Sequence, residues 1–171
     1  MDTAILNRTN FDIQWRTYPL HHDVVQVIAL VTATSVFSDE EIMIAGELVS
    51  EALERGCGDS GYFFQFAYNG DELAGYACYG HIALTRDAFD LYWIAVLPRY
   101  AGTGLAGELL ERSEFHIKAL GGKQIHAETS GLERYKPAQV FYQKQGYNLM
   151  ATFPDFYKPG DAKLVYVKKD Y

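Results

Sequence analysis

The stretch from Trp93 to Leu110 constrains the fold of this chain more than any other segment. It contains an apolar strand that ends at Pro98, a loop with glycines at 102 and 104, and a helix that begins at once. Such a junction directs several backbone N–H groups to one side, and the helix dipole adds partial positive charge there. Because glycine has no Cβ, an anion can approach this backbone closely. The junction predicts a phosphate or pyrophosphate site, to which Arg99 would add a positive charge.

The spacing of the glycines in this loop can be compared with two known phosphate-binding patterns. A P-loop requires Gly-x-x-x-x-Gly-Lys-Ser/Thr, and neither Lys nor Ser follows Gly104. The letters Gly102-Thr-Gly-Leu-Ala-Gly107 fit the dinucleotide pattern Gly-x-Gly-x-x-Gly, and Glu128 stands near the distance at which that pattern places its acid. That pattern should open a βαβ unit, whereas the strand before this loop follows three other predicted strands. A dinucleotide site and a purely structural loop remain open as alternatives.

Hydrophobic periodicity and turn signals predict an α/β chain. The predicted element order is β-α-α-β-β-β-α-β-α-β-β, which corresponds to a sheet of about seven strands. The predicted strands cover residues 11–17, 62–68, 72–80, 89–96, 124–129, 147–153 and 163–168. The predicted helices begin near residues 23, 38, 104 and 137.

Short motifs predict several boundaries. Asp23 is expected to cap the first helix. Ser38-Asp-Glu-Glu41 has the pattern of a capping box for the second helix, which Gly56 and Gly58 would end. Asn69-Gly70-Asp71 lies between two apolar segments and predicts a hairpin turn.

Composition indicates one globular domain over residues 1–171, with 49% apolar and 22% charged residues. The net charge, 15 minus 22 or −7, disfavours nucleic acid as a partner and favours a cationic acceptor such as an amine. The sequence has no run of 18 apolar residues and no signal-peptide pattern, so neither a membrane partner nor export is expected. A cytoplasmic location is expected. Two Cys and five His show no metal-site spacing, and no metal is expected.

Two motifs resemble those of the GCN5-related N-acetyltransferase (GNAT) family. Val96-Leu-Pro-Arg-Tyr-Ala-Gly-Thr-Gly-Leu-Ala106 resembles motif A, written Arg/Gln-x-x-Gly-x-Gly/Ala after a strand. Ala138-Gln-Val-Phe-Tyr-Gln-Lys-Gln-Gly-Tyr147 resembles motif B, Ala-x-x-Phe/Leu-Tyr-x-x-x-Gly-Phe. The resemblance implies the GNAT-like acyl-CoA N-acyltransferase fold, whose mixed sheet has splayed strands four and five. It also implies transfer of an acetyl group from acetyl-CoA to a primary amine, by direct attack in a ternary complex.

The resemblance further implies where acetyl-CoA binds. Its pyrophosphate would lie on the loop N–H groups, and its pantetheine arm would pair with strand four like an additional strand. Motif B often has Asn three residues before its alanine, where this chain has Tyr135. Lys144 is a candidate phosphate contact. The implied cofactor-binding residues are Ile94, Ala95, Val96, Arg99, Tyr100, Ala101, Gly102, Thr103, Gly104, Leu105, Tyr135 and Lys144.

Tyr142, the tyrosine of motif B, is the implied proton donor to the departing thiolate, and a purely structural tyrosine is the alternative. Asp90 is the candidate general base, because some family members carry a catalytic glutamate at the matching strand position. Strand alternation places Asp90 on the same face as Tyr92, Ile94 and Val96. Glu128 is the alternative base, with His126 behind it on the same face.

The acceptor is the least specified component. The family delivers it from the far side of the cleft, which here corresponds to residues 37–38, 79–81 and 155–161. Asp155, Tyr157 and Asp161, in a predicted loop over 154–161, could hold a cationic amine or form a solvated turn. The acceptor could be a small molecule or a peptide. The sequence also leaves open whether the protein forms a homodimer. A non-catalytic acyl-CoA sensor or scaffold is the alternative function, and a different acyl donor is also compatible.

Overall fold

The computed structural model describes residues 11–170 and contains one seven-stranded sheet. The strands are β1 (Ile13–Arg16), β2 (Phe63–Asn69), β3 (Glu72–His81), β4 (Ala88–Val96), β5 (Gln124–Ser130), β6 (Asn148–Lys158) and β7 (Asp161–Lys169). They are arranged in the order β1-β2-β3-β4-β5-β7-β6. Every neighbouring pair is antiparallel except β4 and β5. A single parallel pair confirms the mixed sheet and excludes a doubly wound dinucleotide-binding fold for the described residues.

Four helices cover the sheet, and their order matches the prediction. They are α1 (His21–Ala33), α2 (Asp39–Ser60), α3 (Leu105–Ala119) and α4 (Lys136–Lys144). One apolar cluster, the α1–α2 cluster, joins Val27 and Val49 to Phe66 of β2. The other, the α3–α4 cluster, joins Leu109 and Tyr142 to the opposite face of the sheet.

β4 and β5 are paired only over their first four residues. The register runs from Ala88 opposite Gln124 to Leu91 opposite Ala127. Beyond this point β5 continues alongside β7, whereas β4 continues alongside β3. Among the described strands, none therefore pairs with residues 92–96 on the β5 side. The predicted splay between strands four and five is confirmed.

A β-bulge at Tyr92 changes which face the later residues of β4 occupy. The register of β3 against β4 shifts at this point and leaves Tyr92 as an extra residue. Leu91 and Ile94 consequently both pack in the α3–α4 cluster, whereas Trp93 packs in the α1–α2 cluster. Asp90 alternates with Leu91 and thus lies on the α1–α2 face. The prediction that Asp90 shares a face with Ile94 and Val96 is wrong, because it assumed an uninterrupted strand.

Asp23 joins three elements at the start of α1. The helix begins at His21, so Asp23 lies in its first turn and is not the cap. The buried carboxylate accepts hydrogen bonds from the Leu20 N–H (2.6 Å), the Tyr68 hydroxyl (2.6 Å) and the Arg16 guanidinium (two at 2.7 Å). Burial raises the pKa of Asp23, but the hydrogen bonds from Arg16 and Tyr68 outweigh this effect and lower it. One carboxylate therefore links β1, α1 and β2.

Two other boundaries differ from the predictions. Gly56 is non-helical (φ +79°, ψ 155°) and interrupts α2 where the prediction placed its end, but a second short helical segment continues to Ser60. β6 continues to Lys158, so the predicted loop over 154–161 is largely strand, with an irregular register after Phe153 and a positive φ at Asp155. The capping box at Ser38 and the hairpin turn after Asn69 are confirmed. The long β6–β7 hairpin carries exposed aromatic side chains, those of Phe153, Phe156 and Tyr157.

Within residues 11–170, no helix combines the length and apolar character needed to cross a membrane. The same part of the chain shows no group of three His, Cys, Asp or Glu side chains that could ligate a metal. Cys57 and Cys78 are free thiols.

Asp23→Asn should lower the free energy of unfolding by about 3–5 kcal/mol, because it leaves the largely buried Arg16 without its counter-ion. Since the folded-state pKa of Asp23 is depressed, this contribution is present above the unfolded pKa and is lost as pH falls through the folded one. Urea unfolding at several pH values measures both effects. Asp12→Asn removes the same charge from an exposed position and is the matched control. Equal losses in the two variants would contradict the role given to Asp23.

Candidate active site

The glycine loop turns the chain from β4 into α3. Residues 98–100 form one 3-10 turn, after which Gly102 and Gly104 adopt φ values of +73° and +93°. Other residues are strained in this conformation. A Cβ at either position would meet no atom within 4 Å, so the backbone conformation and not crowding favours glycine. The space above both glycines is open to a ligand.

Only part of the loop has N–H groups available to an anion. Three are already bonded to carbonyls within the loop, those of Tyr100, Ala101 and Thr103. The Leu105 N–H contacts the Thr103 hydroxyl at 3.4 Å. Four others donate to no residue among 11–170: Gly102, Gly104, Ala106 and Gly107. The N–H groups available to an anion therefore lie closer to the first turn of α3 than the loop residues predicted from the sequence.

Tyr100 and Arg99 are both held by Glu72 at the start of β3. The Tyr100 hydroxyl donates to Glu72 (2.8 Å) and accepts from Asn69 (2.9 Å), and its side chain is buried. The Arg99 guanidinium forms an ion pair with the same carboxylate. Tyr100 thus anchors the loop to the β2–β3 hairpin. The positive charge expected at Arg99 is present at the loop, but Glu72 offsets it.

Tyr142 lies on the inner face of α4. Its ring contacts those of Tyr147 and Tyr166, with centroids 5.7 and 5.8 Å away. Its hydroxyl makes no hydrogen bond to any residue that the structure describes. Burial raises the pKa of Tyr142, so the phenol is neutral at physiological pH. A neutral phenol without a partner can donate a hydrogen bond to a ligand.

Asp90 and His126 are opposite each other where the splay begins. Asp90 is half-buried and has neither a hydrogen bond nor an ion pair with the described residues. Burial, followed by the charge of Glu128, raises the pKa of Asp90. A carboxylate with a raised pKa and no protein partner, at the edge of a cleft, is a candidate functional group.

Glu128, the alternative acid, has a counter-ion. It lies two residues after His126 on the same face of β5, and it pairs with Lys163 of β7 at 2.8 Å. The Lys163 ammonium also lies 4.7 Å from the centre of the Phe156 ring. His126 contacts Gln124 through Nε2 at 3.1 Å. Of the two predicted acids, Asp90 alone is unpaired within residues 11–170.

Tyr135 and Lys144 occupy different surroundings. Tyr135 is buried, and its ring meets Phe37 edge-on at 6.5 Å, while Phe37 lies 6.1 Å from the ring of Trp93. These contacts place Tyr135 on an aromatic wall that extends to the α1–α2 side of the cleft. Lys144 is exposed on the last turn of α4.

The structure adds contacts that the sequence did not indicate. Glu72 is 27 positions from Arg99, and only the β3–β4 pairing brings the two together. Gln145 lies 3.5 Å from the point where a Cβ on Gly107 would stand, so the end of α4 adjoins the start of α3. Gln145 falls inside motif B, which is the one sequence signal that could have identified it.

Comparisons with known proteins agree with this geometry. The model of the acetyltransferase (GNAT) domain matches residues 59–149. A crystal structure assigned to the GNAT acetyltransferases, from Desulfovibrio desulfuricans, shares 38% identity over 93% of this chain and 99% of its own, with a TM-score of 0.90. No curated protein sequence gives a significant match.

Two more distant structures share the fold. PaiA N-acetyltransferase from Thermoplasma acidophilum, solved with coenzyme A, is 19% identical over 92% of this chain and 98% of its own, with a TM-score of 0.71. The ribosomal-protein-S18-alanine N-acetyltransferase from Escherichia coli is 17% identical over 92% and 94%, with a TM-score of 0.70. With a family match over more than half of its length and a relative at 38% identity, the chain belongs to the GNAT family of acetyltransferases.

Proposed function

We propose that this protein transfers an acetyl group from acetyl-CoA to a primary amine of a small molecule or peptide, by direct attack while both substrates are bound. The observation that carries the proposal is one continuous segment of chain. Within residues 11–170, residues 92–96 offer an unpaired strand edge, and the loop and helix start at 102–107 offer four N–H groups without an acceptor. This combination fits a ligand that joins an extended amide-containing arm to a pyrophosphate.

The cofactor-binding residues follow from that fit. The N–H groups of Gly102, Gly104, Ala106 and Gly107 would hold the pyrophosphate, and the backbone of residues 94–96 would pair with the pantetheine arm. Tyr100 fixes the loop from beneath through Glu72. Arg99 and Lys144 would add positive charge at the rim.

Asp90 is proposed as the general base, directly or through a water molecule. An amine attacks a thioester only as the free base, and a carboxylate with a raised pKa accepts a proton more readily than an ordinary one. Glu128 would act at a distance, because its charge contributes to raising the pKa of Asp90. His126, directly opposite Asp90 in the strand register, would exchange the proton with solvent.

Tyr142 is proposed to stabilise the departing thiolate. Because burial raises its pKa above that of a thiol, complete proton transfer to the sulfur would be unfavourable. Its contribution is a hydrogen bond donated as negative charge develops on sulfur, the kind of interaction that is stronger in the transition state than in the ground state.

Purified protein supplied with acetyl-CoA should release free thiol in proportion to added amine, and Tyr142→Phe should reduce kcat roughly 100-fold. Affinity for acetyl-CoA should stay nearly constant, because the phenyl ring preserves the packing. Calorimetry and a thiol assay across a panel of amines measure these quantities. Tyr76→Phe removes a fully buried hydroxyl that has no hydrogen-bond partner among residues 11–170, and it should leave turnover unchanged. Binding without thiol release from any amine would instead support an acyl-CoA sensor.

Asp90→Asn should lower kcat/KM and remove the acidic limb of its pH profile, because the base is active only when ionised. A separate rise with pH, which comes from deprotonation of the amine itself, should persist in the variant and narrow the defect at high pH. Glu128→Gln, the matched change, should keep the limb but move it to lower pH, because loss of the Glu128 charge lowers the pKa of Asp90. An Asp90→Asn enzyme that retains the limb would exclude Asp90 as the base.

A further inference from the structure

Asp161 is a buried carboxylate without a cation. It begins β7, is 5% exposed, and accepts a 2.5 Å hydrogen bond from the Ser130 hydroxyl at Oδ1. No Lys, Arg or His among residues 11–170 forms an ion pair with it, and Oδ2 has no hydrogen-bond donor there. Oδ2 is not completely enclosed by protein atoms. Because a buried charge is costly unless it is paired, Asp161 lacks the partner that its position requires.

The field of Asp161 reaches two phenol groups on the acceptor side of the cleft. After burial, the charges of Glu128, Asp161 and Glu41 each raise the pKa of Tyr157. Burial, Glu41 and Asp161 also raise the pKa of Tyr135. Carboxylates from α2, β5 and β7 thus act on one region, the space around the hydroxyls of Tyr157 and Tyr135, and aromatic rings themselves attract cations.

Lys158 is opposite Asp161 in the β6–β7 register but is exposed and forms no ion pair within residues 11–170, and two other nearby cations have partners of their own. Lys163 is paired with Glu128, and Arg134 lies 5.1 Å from the centre of the Tyr135 ring. A ligand carboxylate or phosphate would meet repulsion from Asp161 and Glu41 in this space. An ammonium or guanidinium would supply the missing partner of Asp161.

Strand geometry gives the distance from this space to the reaction centre. His126, Glu128 and Ser130 alternate along one face of β5, with Asp90 opposite the first and Asp161 bonded to the last. Four strand residues correspond to about 13 Å. A nitrogen that attacks between Asp90 and Glu128 would therefore lie about 10 Å from Asp161.

We propose that the acceptor is a linear dication, in which a second positive group, about 10 Å from the reacting amine, binds to Asp161. This inference rests on the proposed transferase function. It assigns to Asp161 a role in choosing the substrate, not in the chemical step. The class that fits is an unbranched aliphatic diamine or longer polyamine.

Comparing a diamine with its monoamine counterpart separates the contribution of the second positive group from that of the reacting amine. Wild-type enzyme should use 1,7-diaminoheptane with a kcat/KM about 10-fold or more above that of n-heptylamine. Asp161→Asn keeps the acceptor for Ser130 but removes the charge, and it should abolish this preference without affecting n-heptylamine turnover or acetyl-CoA affinity. Asp170→Asn removes the same charge from an exposed position just after β7 and should preserve the preference.

Calorimetric binding of 1,7-diaminoheptane to the CoA-bound protein gives a readout that does not depend on turnover. Binding that Asp161→Asn weakens, with no acetylation of any amine, would support the dication site and refute the transferase. Equal diamine preference in the wild type and Asp161→Asn would overturn the proposal. Should the variant not fold, the wild-type ratio decides, since a value near one contradicts a second cationic contact.

Discussion

The end of pairing between β4 and β5 is the constraint on which the site depends. A bulge at Tyr92 follows directly after Leu91, the last residue of β4 that is opposite β5. Bulges bend a strand and increase its twist, so β4 follows β3 while β5 follows β7. The separation leaves one strand edge unpaired inside the sheet, where an exposed edge would otherwise be an aggregation hazard. A ligand that pairs like a strand is the natural complement of this edge.

The same bulge separates two chemical environments. Before it, Asp90 faces the α1–α2 side, and after it Ile94 faces the α3–α4 side, where Tyr142 lies. The proposed base and the proposed thiolate partner therefore approach the cleft from opposite faces of the sheet. This arrangement suits a transfer in which the amine enters from one side and the thiolate departs on the other.

Element order was predictable because it depends on local signals. Periodicity, the capping box at Ser38 and the turn after Asn69 each act within a few residues, and all were confirmed. The face of Asp90 was not predictable, since a bulge is defined by its partner strand and strict alternation gave the wrong result. The extended hairpin past Pro154 was also missed, because proline and glycine there indicated a loop.

The partners in ion pairs were the hardest feature to predict from the sequence. Glu72 with Arg99 and Glu128 with Lys163 are distant in the chain, and only sheet register brings them together. Ion pairing also distinguishes the two candidate acids, because Glu128 has a counter-ion and Asp90 has none within the described residues. Motif comparison identified the candidate positions in the glycine loop, whereas three-dimensional structure identified which of their N–H groups are available.

Amide hydrogen exchange with and without saturating acetyl-CoA tests the cleft most directly. Bound cofactor should slow exchange in residues 92–96 and 102–107 together, because one ligand would occupy both the strand edge and the loop N–H groups. The outer part of the β6–β7 hairpin, residues 153–158, should change little and provides the internal reference. Tight acetyl-CoA binding that protects neither segment would contradict the account of this site.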